Sequence, residues 1–433
     1  MDFDAIAYIN TPRFAHSDYG LERTRAMLDI MGNPEDKFKS IHVAGTNGKG
    51  STCAFIASVL QACGYKTGLF TSPYINEFEE RIRVDGQNIP LDVLTEITLK
   101  AKHAAEIVEA TLGTHPTEFE LMTVIGFEYF ARMNCDFAVI EVGLGGRLDS
   151  TNVLSSPECC AICRLGLDHM DLLGDTIEQI ATEKSGIIKQ NVPVVSYPQE
   201  ESAMRIIEKI ASEHNSPLIV ADFSSLDISP SANDLRHRGF VYKGLSCKTG
   251  LLGSYQPQNA AVAIEVLRVL ANKGYDITEE NIAKGVEQTA WPGRFEIVKE
   301  NPLVIIDGGH NPQGAQALIS SLKANFPGQK AIFVMGVLAD KDYRTMIETV
   351  LPYALRFITV TPPNPRALSA KDLADTIKET APVFGMDIQV EQADIDSALE
   401  TAQTYALKDK NKPLTIAFGS LYSIGSLKQS LNR

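Results

Sequence analysis

Phe38-Lys39-Ser40-Ile41-His42-Val43-Ala44 breaks into Gly45-Thr46-Asn47-Gly48-Lys49-Gly50-Ser51, and from Ser51 the chain runs on in a helical pattern to Cys63. The first seven residues read as a strand, the glycine-rich run as a loop, and the rest as a helix. Glycines let a backbone turn its N–H groups inward around phosphate oxygens. Lys49 can reach the terminal phosphates as a point charge, and Ser51 opens a helix whose N-terminus favours anions. Asn47, Gly48, Lys49, Gly50 and Ser51 are therefore candidate phosphate-binding residues. The run departs from the usual phosphate-loop spelling, since Gly50 separates Lys49 from Ser51 and Val43 stands where the first glycine would be. The strand before it and the helix after it supply the context such a loop needs.

Working outward, apolar β-type runs recur at Thr67 to Thr71, Phe137 to Val142, Cys159 to Leu165, Val192 to Ser196 and Leu218 to Val220. Helical stretches such as Leu91 to Ala110 and Glu118 to Met133 separate them. Strands alternating with helices predict a mostly parallel sheet covered on both faces. The stretch Asp222 to Leu252 is richer in Ser, Gly and short alternations, and reads as a small antiparallel elaboration. Trp291-Pro292-Gly293-Arg294 punctuates the end of the helix Glu279 to Gln288. Behind it a second alternation has strands at Leu303 to Ile306, Ala331 to Met335, Phe357 to Val360, Ile388 to Val390 and Thr415 to Phe418. The expected fold is α/β: a P-loop ATPase domain over 1–291 with a mostly parallel sheet, a linker at 292–297, and a second doubly wound, Rossmann-like α/β domain over 298–433.

The chain has 433 residues, enough for two or three domains each with its own core. Hydrophobic residues make up 44% and charged residues 22%, which excludes a disordered or fibrous protein. Fifty-four acidic against forty basic side chains give a net charge of −14. Such a surface is repelled by nucleic acids and anionic membranes, so an anionic ligand must be held by a local constellation. Seven cysteines, an odd number scattered through apolar segments, suit a reducing compartment better than a disulfide framework. Cys160-x-x-Cys163 lacks a second cysteine pair or a nearby histidine, and is expected to be buried thiols rather than half a zinc site. Met1-Asp2-Phe3-Asp4 is acidic, and no uncharged stretch reaches the length of a membrane span, so a cytoplasmic protein is expected.

Ile41 to Ser51, with Gly20-Leu21-Glu22-Arg23 before it and Thr71-Ser72-Pro73 and Glu80-Arg81-Ile82 behind it, resembles the folylpolyglutamate synthase family, the folate branch of the Mur ligase superfamily. The likeness extends in order through Glu141 to Asp149, Leu167-Asp168-His169, Glu183 to Ile187, Pro292-Gly293-Arg294 and Asp307 to Pro312. It implies an ATP-dependent amide ligase: the γ-phosphoryl group of ATP passes to a substrate carboxylate, and the amine of L-glutamate displaces phosphate from the acyl phosphate. It implies ATP and Mg²⁺, with two metal sites, and folate or dihydropteroate with L-glutamate as substrates. No nucleic-acid or membrane partner is expected, and the chain is expected to be a monomer.

Residue by residue, the resemblance makes Glu141, Ser72 and His169 magnesium ligands, with Ser51 as the loop hydroxyl. Glu141 closes the apolar run Phe137 to Ile140, so its carboxylate would project from a strand's C-terminal edge, where a hard cation wants oxygen. Lys49, His169 and Lys184 are the implied catalytic residues, Lys184 being carbamylated in similar ligases so that a cation becomes a carboxylate. Asn259, Arg294, Asp307 and His310 are the implied nucleotide contacts. Arg81, Thr117, Phe119, Gly146, Arg147, Leu148 and Asp149 are the implied pterin and aminobenzoate site, with Arg81 facing an anionic substrate. The family usually has His where Tyr74 and Tyr255 stand, and Ala where Gly309 stands. Two other readings are another Mur-type amide ligase and a P-loop nucleotide-binding switch. Only 44 residues precede Gly45, too few for the UDP-sugar domain of the peptidoglycan ligases, and no guanine-reading Asn-Lys-x-Asp motif is present.

Overall fold

A computed structural model describes residues 3–12, 20–228 and 235–431. Two residues of the acidic N-terminal run and positions 229–234 of the Asp222 to Leu252 stretch lie outside the described residues. Contacts divide the chain into two units. One is Met1–Ile228 with Phe240–Lys248 and Pro257–Thr289; the other is Ser229–Gly239 with Thr249–Gln256 and Ala290–Arg433.

The first unit is built on eight strands: β1 (Lys39–Ala44), β2 (Thr67–Phe70), β3 (Ile82–Val84), β4 (Gln87–Asn88), β5 (Phe137–Glu141), β6 (Cys159–Ile162), β7 (Val194–Ser196) and β8 (Leu218–Val220). They lie in the order β4-β3-β2-β5-β1-β6-β7-β8. β1 is central, parallel to β5 on one side and β6 on the other. Ile41, Val43 and Phe137 to Ile140 are fully buried, as both-face burial of a parallel sheet requires. The register places Val43 opposite Glu141, so the acidic end of β5 stands beside the start of the glycine-rich loop. β3 and β4 are antiparallel additions. They form an edge hairpin that follows a short 3₁₀ turn, Phe78–Arg81, and is anchored by the buried Phe78, Ile82 and Val84.

The Asp222 to Leu252 elaboration is a three-stranded antiparallel sheet of β9 (Leu226–Asp227), β10 (Arg238–Tyr242) and β11 (Leu245–Thr249). The second unit has six strands in the order β12-β13-β17-β14-β15-β16: β12 (Glu296–Glu300), β13 (Leu303–Asp307), β14 (Ala331–Met335), β15 (Ala354–Thr359), β16 (Gln389–Gln392) and β17 (Leu414–Phe418). β13 to β17 pair in parallel, and only β12 runs antiparallel, on the edge beside β13. β12 escapes a reading for apolar runs because Glu296, Lys299 and Glu300 make it charged and half exposed, as an edge strand tolerates.

Two close approaches fix the phosphate-loop helix, Lys49–Ala62. At its head Gly45 has φ 152°, and a side chain there would put Cβ 2.6 Å from Cβ of Cys163. On its flank the helix Glu279–Gln288 packs so tightly that a Cβ on Gly285 would lie 2.4 Å from Cα of Val59; the Ser58 hydroxyl donates to the Gly285 carbonyl at 2.7 Å. The helix is apolar nearly all round, with Cys53, Phe55, Ile56, Val59 and Leu60 fully buried. Cys159, Cys160 and Cys163 are buried, all seven cysteines are free thiols, and among the described residues no helix is long and apolar enough to cross a membrane. Gly285→Ala should cost about 1–3 kcal/mol by overpacking the two helices. Urea unfolding measures this, and an unchanged midpoint would contradict the close approach.

Candidate active site

Helix heads leave their first N–H groups without intrahelical acceptors, and Gly48, Lys49, Gly50 and Ser51 occupy that head here. Gly48 adopts the left-handed conformation (φ 91°), with Oδ1 of Asn259 only 2.5 Å from where its Cβ would be. Asn259 thus borders the loop directly. The amides of Thr46 and Asn47 both donate to the Arg164 carbonyl at 3.0 Å, which ties the loop to the segment after β6. Lys49 Nζ donates to the Gly45 carbonyl at 3.1 Å and lies 4.0 Å from Glu141 Oε1; Glu141 Oε2 accepts the Ser72 backbone N–H at 3.2 Å. Lys49, Glu141 and Ser72 are therefore gathered in one place, with the buried Ser51 at the helix head beside Lys49.

Lys184, on the helix Ile177–Ser185, reaches the same carbonyl: its Nζ donates to Gly45 O at 3.0 Å and is 5% exposed. Burial and then the nearby Lys49 charge push its ammonium down to about 7, against partial support from Asp168 and Asp149. His169 heads the short helix Met170–Leu173 with φ 51°, exposed, its Nε2 3.9 Å from Asp168 Oδ1. The chain leading to it is pinned to the phosphate loop, because Thr46 Oγ1 donates to Gly166 O at 3.0 Å and accepts from Gly166 N at 3.1 Å. Among the described residues no group of three or more His, Cys, Asp or Glu side chains converges on one point. Glu141 with the hydroxyls of Ser51 and Ser72 offers oxygen donors, the ligand type a hard cation such as Mg²⁺ takes.

The glycine-rich stretch after β5 lies against the Lys184 helix. A Cβ on Gly146 would come 2.7 Å from the Glu183 carbonyl, and the Arg147 N–H donates to that carbonyl at 2.8 Å. The Arg147 guanidinium is exposed and held by Glu183 at 2.9 Å; Leu148 is half-buried. Asp149 is turned into its own turn, accepting from Leu144 N at 2.8 Å and from the Thr151 N–H and hydroxyl; burial raises its carboxyl. Since the Thr151 proton goes to Asp149, Thr151 Oγ1 accepts from His42 Nε2 at 2.8 Å. His42 lies fully buried on β1, is pushed down to about 3 by burial, and stays neutral, with its Nδ1 unpartnered. Neither His42 nor Thr151 carries a sequence signal that would have singled it out.

Arg81, Thr117 and Phe119 form a neighbouring group. Thr117 caps the helix Glu118–Arg132 by a reciprocal pairing with Glu120. At the first position of that helix, Glu118 is 3.3 Å from the Arg81 guanidinium, which lies 5.2 Å from the Tyr74 ring and 5.4 Å from the Phe78 ring. Arg81 Nε is buried without a hydrogen-bond partner. The Phe119 ring fills the space a side chain on Gly143 would take, 2.4 Å from that Cβ position.

Arg294, Asp307 and His310 come together within the second unit. Asp307 ends β13 and is 2% exposed; its Oδ1 accepts from Gly309 N at 2.7 Å, and its Oδ2 from Phe295 N at 2.9 Å and the Tyr255 hydroxyl at 3.2 Å. Burial raises the Asp307 carboxyl, opposed by the Arg294 charge. The Arg294 guanidinium occupies the space left by Gly308, its Nη1 2.1 Å from where a Cβ would be. His310 Nδ1 lies 3.0 Å from the Gly308 carbonyl, which can only accept, so Nδ1 carries a proton.

The Mur ligase middle domain matches residues 43–267, and the Mur ligase glutamate ligase domain matches 293–419. The dihydrofolate synthase/folylpolyglutamate synthase of Bacillus subtilis (strain 168) is 37% identical over 420 residues, 95% of each chain. The chain belongs to the folylpolyglutamate synthase family. The family's folylpolyglutamate synthase from Lacticaseibacillus casei is 35% identical over 441 residues, 99% of this chain and 98% of that one. Mycobacterium tuberculosis folylpolyglutamate synthase complexed with ADP and AMPPCP superposes with a TM-score of 0.87 at 28% identity, covering 96% of each chain. An FPGS–AMPPCP–folate complex superposes with a TM-score of 0.83 at 32% identity, covering 99% of this chain and 98% of that one.

A lysine held at about 7 when folded and near 10.5 when unfolded destabilises the fold fully below pH 7, and progressively less as pH rises from 7 to 10.5. In bicarbonate-free buffer, Lys184→Met removes that dependence, whereas the lost hydrogen bond to Gly45 adds a cost that does not vary with pH. The stability of the wild type relative to Lys184→Met should therefore rise with pH between 7 and 10.5. Denaturant midpoints across that range measure it, and parallel curves would contradict a buried, depressed amine.

Proposed function

We propose that this chain joins L-glutamate to folates through an acyl phosphate at the expense of ATP. The carrying observation is that Lys49 and Lys184 both donate to the carbonyl of Gly45, at the head of a helix, with Glu141 4.0 Å from the Lys49 amine and accepting from the Ser72 N–H. Further support comes from relatives with this name that match nearly the whole chain, one solved with ADP and AMPPCP and another with AMPPCP and folate.

In this reading the amides of Gly48 to Ser51 cradle the phosphates, Lys49 neutralises charge on the transferring phosphoryl group, and Asn259 lies against the nucleotide. Phosphoryl transfer asks mainly for positioning and charge neutralisation, which these groups supply. Arg294 and His310 are assigned as nucleotide contacts, a cationic fork and an imidazole. Glu141, Ser51 and Ser72, with His169, would hold Mg²⁺, which when bound offsets the negative charge of the phosphates. Lys184 is assigned as the carbamylated residue: its amine, depressed to about 7, is largely neutral in mildly alkaline solution and so open to CO₂. The acceptor is placed against Phe119, the Gly146 to Asp149 turn and Arg81. The Arg81 guanidinium, flanked by Tyr74 and Phe78, pairs with a substrate carboxylate there in place of Glu118. Both dihydropteroate and tetrahydrofolate are assigned as acceptors. The seven free thiols suit a reducing cytoplasm.

Phosphate release from ATP should require a folate and glutamate together; release with ATP alone at the full rate would favour a nucleotide switch. Lys49→Ala should lower kcat by at least about a hundredfold with its thermal midpoint unchanged, since the side chain supports charge transfer rather than the core. Near-normal turnover would remove the phosphate-loop assignment. For the acceptors, glutamate addition to dihydropteroate and tetrahydrofolate is measured on one preparation. Lys49→Ala and Glu141→Ala should damage both reactions alike, while changes at Phe119 or Arg81 shift their ratio. No addition to dihydropteroate beside brisk addition to tetrahydrofolate leaves only the polyglutamylating activity.

A further inference from the structure

Asp307 was expected among the nucleotide contacts, yet its carboxylate is 2% exposed and takes hydrogen bonds from three donors of its own unit. Two of them are backbone groups: Phe295 N–H, in the corner that carries Arg294, and Gly309 N–H, in the turn that carries His310. Phe295 is fully buried and adopts φ 50°, a left-handed conformation that an aromatic residue holds only when its surroundings impose it. Asp307 therefore ties together the two short segments that present Arg294 and His310. The Gly308 N–H reinforces the tie by donating to Gly293 O at 2.7 Å.

The third donor is a side chain. The Tyr255 hydroxyl reaches Asp307 Oδ2 at 3.2 Å from the turn before the helix Gln256–Asn272, with its ring lying over Gly253, 2.8 Å from that residue's Cβ position. Asp307 has one strongly attractive neighbour that is not among its donors: the guanidinium of Arg294, which acts on it through charge while sitting over Gly308. A buried carboxylate short of a donor draws the nearest cation to itself. The Tyr255 hydroxyl removes that need, and so leaves the Arg294 fork aimed elsewhere.

We propose that Tyr255 is a positioning residue of the ligase reaction: its hydroxyl saturates Asp307, so that Arg294 stays available to the phosphates of ATP instead of collapsing onto the carboxylate. The proposal rests on the reading of Arg294 as a phosphate contact. It makes Asp307 a supporting group rather than a direct nucleotide ligand.

Tyr255→Phe deletes one oxygen and leaves the ring in place. It should lower kcat/KM for ATP by about tenfold, the loss expected of one hydrogen bond to a charged group. The same substitution made in Arg294→Ala should cost less than twofold, because there is no guanidinium left to misdirect. It should also cost less than twofold in Asp307→Asn, where no buried charge remains to draw Arg294 in. A purely structural role would lower the melting temperature and cost the same factor in every background. Equal losses in the three backgrounds, or no loss in the wild type, overturn the proposal while leaving Arg294 as a phosphate contact. If Arg294→Ala alone keeps wild-type kcat/KM, the phosphate reading of Arg294 falls, and this proposal with it.

Discussion

The carbonyl of Gly45 accepts two lysine amines, Lys49 at 3.1 Å and Lys184 at 3.0 Å. One comes from the helix that begins at the loop, the other from a helix 139 residues further along the chain. Two ammonium groups on one acceptor repel each other, and burial of Lys184 adds to the penalty, so the more deeply buried of the two is the one whose charge is weakened. The loop keeps Lys49 as its cation, next to Glu141, and has at Lys184 an amine that is readily neutral. The geometry depends on Gly45 being glycine. Its φ of 152° and its approach to Cys163 leave no room for a side chain, and only that backbone path turns the carbonyl toward both lysines.

The sheet places what the loop needs. β1 lies between two parallel neighbours, β5 brings Glu141 into register with Val43, and β6 leads to Arg164, whose carbonyl holds the amides of Thr46 and Asn47. Ligands of open α/β sheets gather at the carboxyl ends of strands where the chain order switches sides, and β1 is such a strand. In the second unit the corresponding position is the end of β13, and the same economy holds. Asp307 closes the strand, a glycine on either side of the turn makes room, and Arg294 and His310 are carried on the segments that Asp307 joins.

Much of this was legible in the chain because the chemistry is local. A strand, glycines with a lysine and then a helix can be read in fourteen residues, and Glu141 is recognisable as the acidic end of an apolar run. Asp307 shows the same pattern. What local patterns could not reveal is which distant groups meet. The Lys184 amine beside Gly45, Tyr255 beneath Asp307, and the neutral His42 behind Thr151 all arise from sheet order and helix packing, to which periodicity is blind. The likeness to the family marks Asp149 and Asp307 as site residues, but only the folded chain turns both carboxylates onto backbone amides, those of Leu144 and Thr151 for Asp149 and those of Phe295 and Gly309 for Asp307. β12 was hidden for another reason: an edge strand need not be apolar, and this one carries three charged residues in five.

At the centre of the account is a direct covalent passage of phosphoryl from ATP to the acceptor's carboxylate. If that carboxylate oxygen attacks the γ-phosphorus and the glutamate amine then displaces phosphate, one acceptor oxygen must leave in the phosphate released. A single-turnover reaction with a folate whose terminal carboxylate is labelled with ¹⁸O tests this directly, by mass analysis of the inorganic phosphate. The account predicts one ¹⁸O per phosphate for every amide formed; phosphate free of the label, at normal amide yield, would contradict it.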